Sequence, residues 1–193
     1  MVVMAPPLAL IFAFAPALLH VWLGPAYAVQ SSTALRILSI GVFVVAFAQL
    51  PLVSLYGVNR PDLPAKFHLT ELVIHIPLTI FLVRQFGITG AAMAWTIRVG
   101  LDLCLLLAGS ARSTGVSIAA VAGGRTARVG AAVLGLVATM MVAAALLDSA
   151  PAVASILTLA SIVGFLGLSW SWILLPTDRE SIARLVGSYA GSR

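Results

Sequence analysis

Charge is scarce in this chain. Only 9% of its 193 residues are Asp, Glu, Lys or Arg, and 61% are hydrophobic, whereas a soluble globular domain carries roughly 25% charged residues. Water could not solvate a surface of that composition, so a soluble domain is excluded. Cysteine is nearly absent. Cys104 stands alone, which rules out an intrachain disulfide, a CxxC redox motif and a cysteine cage for a metal. Basic clusters are missing too: the net charge of +5 is spread as single arginines between apolar blocks. With no Lys/Arg run and no aromatic interleaving to follow a phosphate backbone, nucleic acid is not a partner. No Gly-rich phosphate loop, Ser/His/Asp order or glycosidase-like carboxylate pair occurs, and Cys104 has no base partner. The chain is therefore read as non-enzymatic, with no cofactor. Residues Met1 to Pro7 lack the basic region that opens a secretory signal, and the first apolar block is too long for a signal core. That block is expected to be a true span, and its abrupt start suggests a chain that begins within a longer protein.

What is present is a series of apolar blocks, each about 20 residues long, the length a helix needs to cross roughly 30 Å of hydrocarbon. The runs are continuous in Leu, Ala, Val and Ile rather than alternating, which favours helices over a β-barrel. The fold class is all-α: a polytopic membrane protein of about six transmembrane helices. Spans are expected at about Val3–Trp22, Leu35–Tyr56, Phe67–Val83, Ile88–Ala108, Val129–Leu147 and Ala152–Leu175. Trp22 and Tyr27 flank a Gly24-Pro25 break that suits a membrane interface. The stretch from Gly57 to Lys66, with Pro61 and Pro64, is the most polar loop and a firm boundary. The turn Arg84-Gln85-Phe86-Gly87 makes the third and fourth spans a tight hairpin. Four units follow: a four-helix core at 1–110, a cytoplasmic linker at 111–128, an appended helix pair at 129–176 and a cytoplasmic tail at 177–193.

Orientation follows from the retention of basic residues on the cytoplasmic side. With the N-terminus inside, the inside segments hold Arg60, Lys66, Arg112, Arg125, Arg128, Arg179, Arg184 and Arg193, and the outside holds Arg36 and Arg84. This asymmetry places both termini in the cytoplasm.

Ionisable groups within the spans carry the functional signal, since each costs roughly 2.5 to 3.5 kcal/mol at mid-bilayer on insertion scales. His68, Glu71 and His75 share one face of the third span, and Trp95, Arg98 and Asp102 repeat that spacing in the fourth. Arg98 can meet Glu71 across the hairpin or Asp102 along its own helix, and both pairings are open. Either serves as a structural ion pair or as part of a cavity lining. The histidine spacing is not HExxH, so no metal site is read. His68 is placed at the membrane interface, while Glu71 and His75 lie deeper. Arg36 and Gln49 are further cavity candidates, and Arg36 is also near enough to a span end to snorkel. Pro6, Pro7, Pro16, Pro51 and Pro77 can bend their helices, as helices of rocking transporters are often bent.

An ordered series of short motifs then resembles the C-terminal portion of bacterial polysaccharide-biosynthesis flippases, whose superfamily also holds multidrug and toxin extrusion transporters. It comprises Trp22-Leu23-Gly24-Pro25-Ala26-Tyr27-Ala28, Leu35-Arg36-Ile37-Leu38, Gln49-Leu50-Pro51, Gly57-Val58-Asn59-Arg60-Pro61-Asp62, His68-Leu69-Thr70-Glu71 and Gly87-Ile88-Thr89-Gly90-Ala91-Ala92-Met93-Ala94-Trp95 with Arg98 and Asp102. Asn59 stands where the pattern has glycine. Asn tolerates a left-handed backbone best after glycine, so the turn is expected to survive.

The resemblance implies part of the C-terminal bundle of a fourteen-helix flippase in the bacterial inner membrane. Its partners would be the lipid bilayer, a lipid-linked oligosaccharide as substrate, and a missing N-terminal half or another subunit that completes the cavity. Arg36 or Arg98 would attract the substrate pyrophosphate, and Glu71 or Asp102 would couple transport to protons or sodium. Three alternatives come from other readings. An exporter of small cationic or lipophilic compounds would need an acidic cavity. A noncatalytic membrane subunit or scaffold would associate through small-residue faces. A membrane-embedded glycan or acyl transferase would need a catalytic cluster that the loops lack.

Overall fold

The computed structural model describes residues 3–115 and 125–169, with the side chains of 125–127 left aside. Five helices follow in order: α1 (Ala5–Leu23), α2 (Pro25–Gly57), α3 (Asp62–Thr114), α4 (Arg125–Ala145) and α5 (Pro151–Leu168). No strand occurs among the described residues. All five helices are long and apolar enough to cross a membrane.

The count of five reconciles with six expected spans at one residue. α3 has 53 residues, about 80 Å if it were straight at ~1.5 Å per residue and far more than a bilayer accommodates. Gly87 breaks it with φ 56° and ψ −131°, a backbone region open chiefly to glycine. The chain reverses there: a Cβ on Gly90 would collide with the Leu82 carbonyl, and Arg98 reaches back to Glu71. α3 is thus a hairpin of two arms, residues 62–86 and 88–114. The expected four-residue turn shrinks to Gly87, because helical hydrogen bonding absorbs Arg84, Gln85 and Phe86.

The other boundaries differ for similar reasons. α2 begins at Pro25, ten residues before the expected Leu35. Proline is preorganised for the first helical turn, and Gly24, at φ 92°, is the whole connection to α1. Its 33 residues extend about 50 Å at ~1.5 Å each, so a turn or more projects beyond the hydrocarbon. α2 stops where the polar loop was anticipated. Val58 caps it, Asn59 takes φ 57°, and the Arg60 and Asn59 amides donate to the Leu55 and Tyr56 carbonyls at 2.9 and 3.0 Å. This is the paired bonding of a Schellman C-cap, in which the left-handed position follows the cap residue. Asn59 is the one non-glycine residue at positive φ among those described, and the turn does survive the replacement. Asp62 then opens α3, bonded to Arg60 at 3.2 Å and Lys66 at 3.1 Å, an acid placed where the helix dipole favours it. α4 and α5 begin within a few residues of the expected fifth and sixth spans. Residues 170–175 of the sixth, residues 116–124 of the expected linker and all of the expected tail lie outside the described residues.

Two apolar seams run through the bundle, joined by the packing of α1 on α2. In one, Ala5, Ala9 and Ala13 of α1 form a stripe of methyl groups on which Val129, Val133, Leu136 and Met140 of α4 and Phe165 of α5 pack. Small residues at i, i+4 and i+8 let the helices approach closely, the main source of attraction when lipid is as apolar as the helix surface. In the other, α2 runs parallel to the second arm of α3. Leu55 meets Leu106 with Ala48, Leu52, Leu63, Phe67 and Leu103 around them. Polar ties reinforce that seam: Thr96 donates to the Ile37 carbonyl at 3.1 Å, and Ser54 and Ser110 share a bond of 2.6 Å. The Trp95 ring packs against Gly41, where any Cβ would overlap it. Large apolar side chains elsewhere, such as Val73, Ile76, Phe81 and Val163, point outward, as lipid-facing residues do.

Candidate functional site

The α3 hairpin brings its charged side chains together. Arg98 on the second arm donates from a terminal guanidinium nitrogen to Glu71 Oε2 on the first arm at 3.2 Å. Of the two pairings open to Arg98, this is the one formed. Asp102, one turn further on, faces His68 instead, its Oδ1 lying 3.6 Å from Nδ1. The same nitrogen lies 3.6 Å from Glu71 Oε2. One polar atom from each of His68, Glu71 and Asp102 falls within a group no wider than 4.8 Å, close enough to share one small positive ion.

Burial is graded across the cluster. The Glu71 side chain is wholly buried, Asp102 is 17% exposed, Arg98 33% and His68 52%. Glu71 is the one charged residue that is fully buried among those described. Its Oε1 has no hydrogen-bond partner, and neither has Asp102 Oδ1. The helical periods dictate the meeting: His68 and Glu71 are three apart, Arg98 and Asp102 four apart, and each pair occupies one face of its arm. Folding the chain at Gly87 turns the two faces toward each other.

The remaining candidates lie elsewhere. His75, a turn beyond Glu71, exchanges a bond of 3.3 Å with Thr79. Gln49 is exposed on α2. Arg36 occupies the α1 side of α2, where its Nε donates to the Phe12 carbonyl at 3.1 Å and a terminal nitrogen reaches the Ala13 carbonyl at 3.5 Å. The cause is Pro16, which has no N–H to offer the carbonyl four residues before it. α1 is kinked beside it, at Phe14, and Arg36 satisfies the stranded oxygen. Arg36 also borders a cavity of about 420 Å³ whose other polar lining residues are His20 and Asp148.

Two points escape the sequence reading. His68 joins the buried cluster rather than only marking an interface, although its spacing of three from Glu71 is legible. Arg36 has an acceptor predictable from Pro16, since a proline inside a span frees the carbonyl at i−4.

These features define a multi-pass helical membrane protein with an ion-paired polar cluster buried in a helical hairpin. The chain is 38% identical over 88 residues to a Shigella flexneri protein named "Putative O-antigen transporter". The aligned segment is 46% of this chain and 21% of the relative, so the chain matches about a fifth of that protein's length. No family model and no solved structure matches. The similarity agrees with the polysaccharide-flippase motifs and supports an O-antigen-transporter-type relationship over the matched segment.

Proposed function

We propose that the chain is part of a non-enzymatic transporter that carries a lipid-linked oligosaccharide or polysaccharide precursor across the bacterial inner membrane, with both termini in the cytoplasm. The observation that carries this reading is the 38% identity to the O-antigen transporter relative. The distribution of basic residues supports the orientation, and the apolar bundle supports the membrane setting. In this reading the first four passes are the transport part, the last two are an appended pair, and helices beyond those described complete the cavity.

The buried cluster supports a transport role on energetic grounds. Charged groups are costly inside a bilayer and persist where they face one another or a hydrated path. Arg98 is two-thirds buried and paired with Glu71, so it is held in place yet keeps guanidinium donors for an anionic pyrophosphate. Arg36, bordering the separate cavity with His20 and Asp148, is a second cationic position.

Restoration of surface polysaccharide in a flippase-deficient bacterium tests the reading. The chain alone, the chain extended upstream in its reading frame, and the extended form carrying Arg98→Ala are compared at matched membrane levels. Rescue by the extended form and its loss in Arg98→Ala are expected. No rescue by either wild-type form, despite insertion, would overturn the reading and favour a noncatalytic subunit or another cargo.

A further inference from the structure

Two cavities adjoin along α1. The larger, about 420 Å³, lies between α1, α2 and α4, with Arg36 on its wall and the exposed His20 and Asp148 on its rim. Its volume is that of a small-ligand site, which runs from roughly 300 to 1,000 Å³. The smaller, about 330 Å³, lies between α1 and α5 and is lined by Leu10, Ala154, Ser155, Thr158 and Leu159. Phe14 and Leu147 line both, so one molecule can occupy the two together. The smaller cavity is apolar to an occupant, because the Ser155 and Thr158 hydroxyls donate to the Pro151 and Ala154 carbonyls of their own helix at 2.9 and 2.8 Å. Leu159, 65% exposed, opens it to the lipid side.

The larger cavity carries both signs of charge unspent. A guanidinium has five N–H donors, and Arg36 engages two of them with the Phe12 and Ala13 carbonyls, which leaves three for an anion. The Asp148 carboxylate and the His20 imidazole have no ion pair or side-chain hydrogen bond among the described residues. Arg36 and Asp148 thus line one cavity without meeting. A polyanion would be repelled by Asp148 and a simple cation by Arg36, whereas a zwitterion satisfies both. Arginine suits phosphate. The cationic end is specified by what the lining lacks: a trimethylammonium group is held by a cage of aromatic rings, and Phe14 is the one aromatic residue here. A primary ammonium instead donates N–H bonds to a carboxylate.

We propose that the two cavities hold a bilayer phospholipid with a phosphoethanolamine headgroup. Its phosphate rests on Arg36 and His20, its ammonium on Asp148, and an acyl chain follows α1 past Phe14 and Leu147 toward Leu10 and Leu159. The lipid is a resident ligand that fills the space between the first two helices and the closing pair. The site is separate from the α3 hairpin and does not depend on what the chain transports.

Native mass spectrometry of the full chain, stripped of lipid in detergent and titrated with phosphatidylethanolamine, phosphatidylcholine or phosphatidylglycerol of matched chains, reads the site. Phosphatidylethanolamine should bind about tenfold more tightly than either of the others, the effect of one added charge-assisted bond. Asp148→Asn, at an exposed position between helices, should erase the preference over phosphatidylglycerol. Arg36→Gln should weaken both of those lipids together, since both present a phosphate. Glycerophosphoethanolamine, the headgroup without chains, should bind far more weakly than the whole lipid. Equal retention of the three lipids by the wild type, an unchanged preference in Asp148→Asn, or equal affinity for glycerophosphoethanolamine would overturn the proposal, the last in favour of a soluble phosphate ester.

Discussion

Glu71 and Arg98 are worth more together than apart. Removing one partner of a buried pair strands the other, at a cost of about 3 kcal/mol or more, whereas removing both forfeits much less. Glu71→Ala and Arg98→Ala should therefore each lower the melting temperature in detergent further than the double variant does. Additive losses would show that the 3.2 Å contact contributes nothing to stability. Arg36 permits a cleaner experiment. Arg36→Met strands the Phe12 carbonyl and should cost about 1 to 3 kcal/mol, as losing the partner of a buried acceptor does. Adding Pro16→Ala returns an N–H to that carbonyl, so the double variant should regain most of the loss in the same thermal melt. Both effects rest on pairings that the sequence only partly discloses. Face sharing follows from the spacing of three and four, but which acid Arg98 meets depends on where the two arms stand in register, and that is set by the turn.

At the scale of elements, the expected spans were readable wherever an apolar run was bounded by proline and polar residues, as at Asn59 to Lys66. They were less readable at the hairpin and at the start of α2. There helix propensity carries through polar residues such as Arg84, Gln85 and Gln30, and only one glycine interrupts it. Gly87 is thus the structural determinant of the hairpin. Gly87→Ala, at φ 56°, should cost about 1 to 3 kcal/mol of stability and loosen the Glu71–Arg98 contact. The coupling between Glu71→Ala and Arg98→Ala in thermal melts should fall in the Gly87→Ala background, and would report that loosening. At Asn59, also left-handed, Asn59→Gly should be neutral and Asn59→Val should destabilise by about 1 to 2 kcal/mol. The Trp95 seat on Gly41 was not legible, because it requires knowing that α2 runs parallel to the second arm. Gly41→Leu should separate those helices and quench or shift Trp95 fluorescence.

For the whole molecule, composition alone settled that lipid is the solvent, and the outward-facing Val73, Ile76, Phe81 and Val163 follow from it. The way the helices divide between two seams did not follow, since apolar faces look alike in sequence when every face is apolar. The proposed topology makes a direct prediction. With Cys104 replaced by serine, a cysteine at Asn59 should react with a membrane-impermeant thiol reagent only from the cytoplasm, and one at Asp148 only from the opposite side. The reverse pattern would invert the bundle.

The connections on one face of the bundle have a consequence for how the chain is made and attacked. α1 and α2 join through Gly24, the arms of α3 through Gly87, and α4 and α5 through residues 146–150. An insertion machine has almost no polar chain to carry to that side. A protease arriving there would find no extended stretch to thread into its cleft, so digestion of intact membranes from that face should leave the described core uncut.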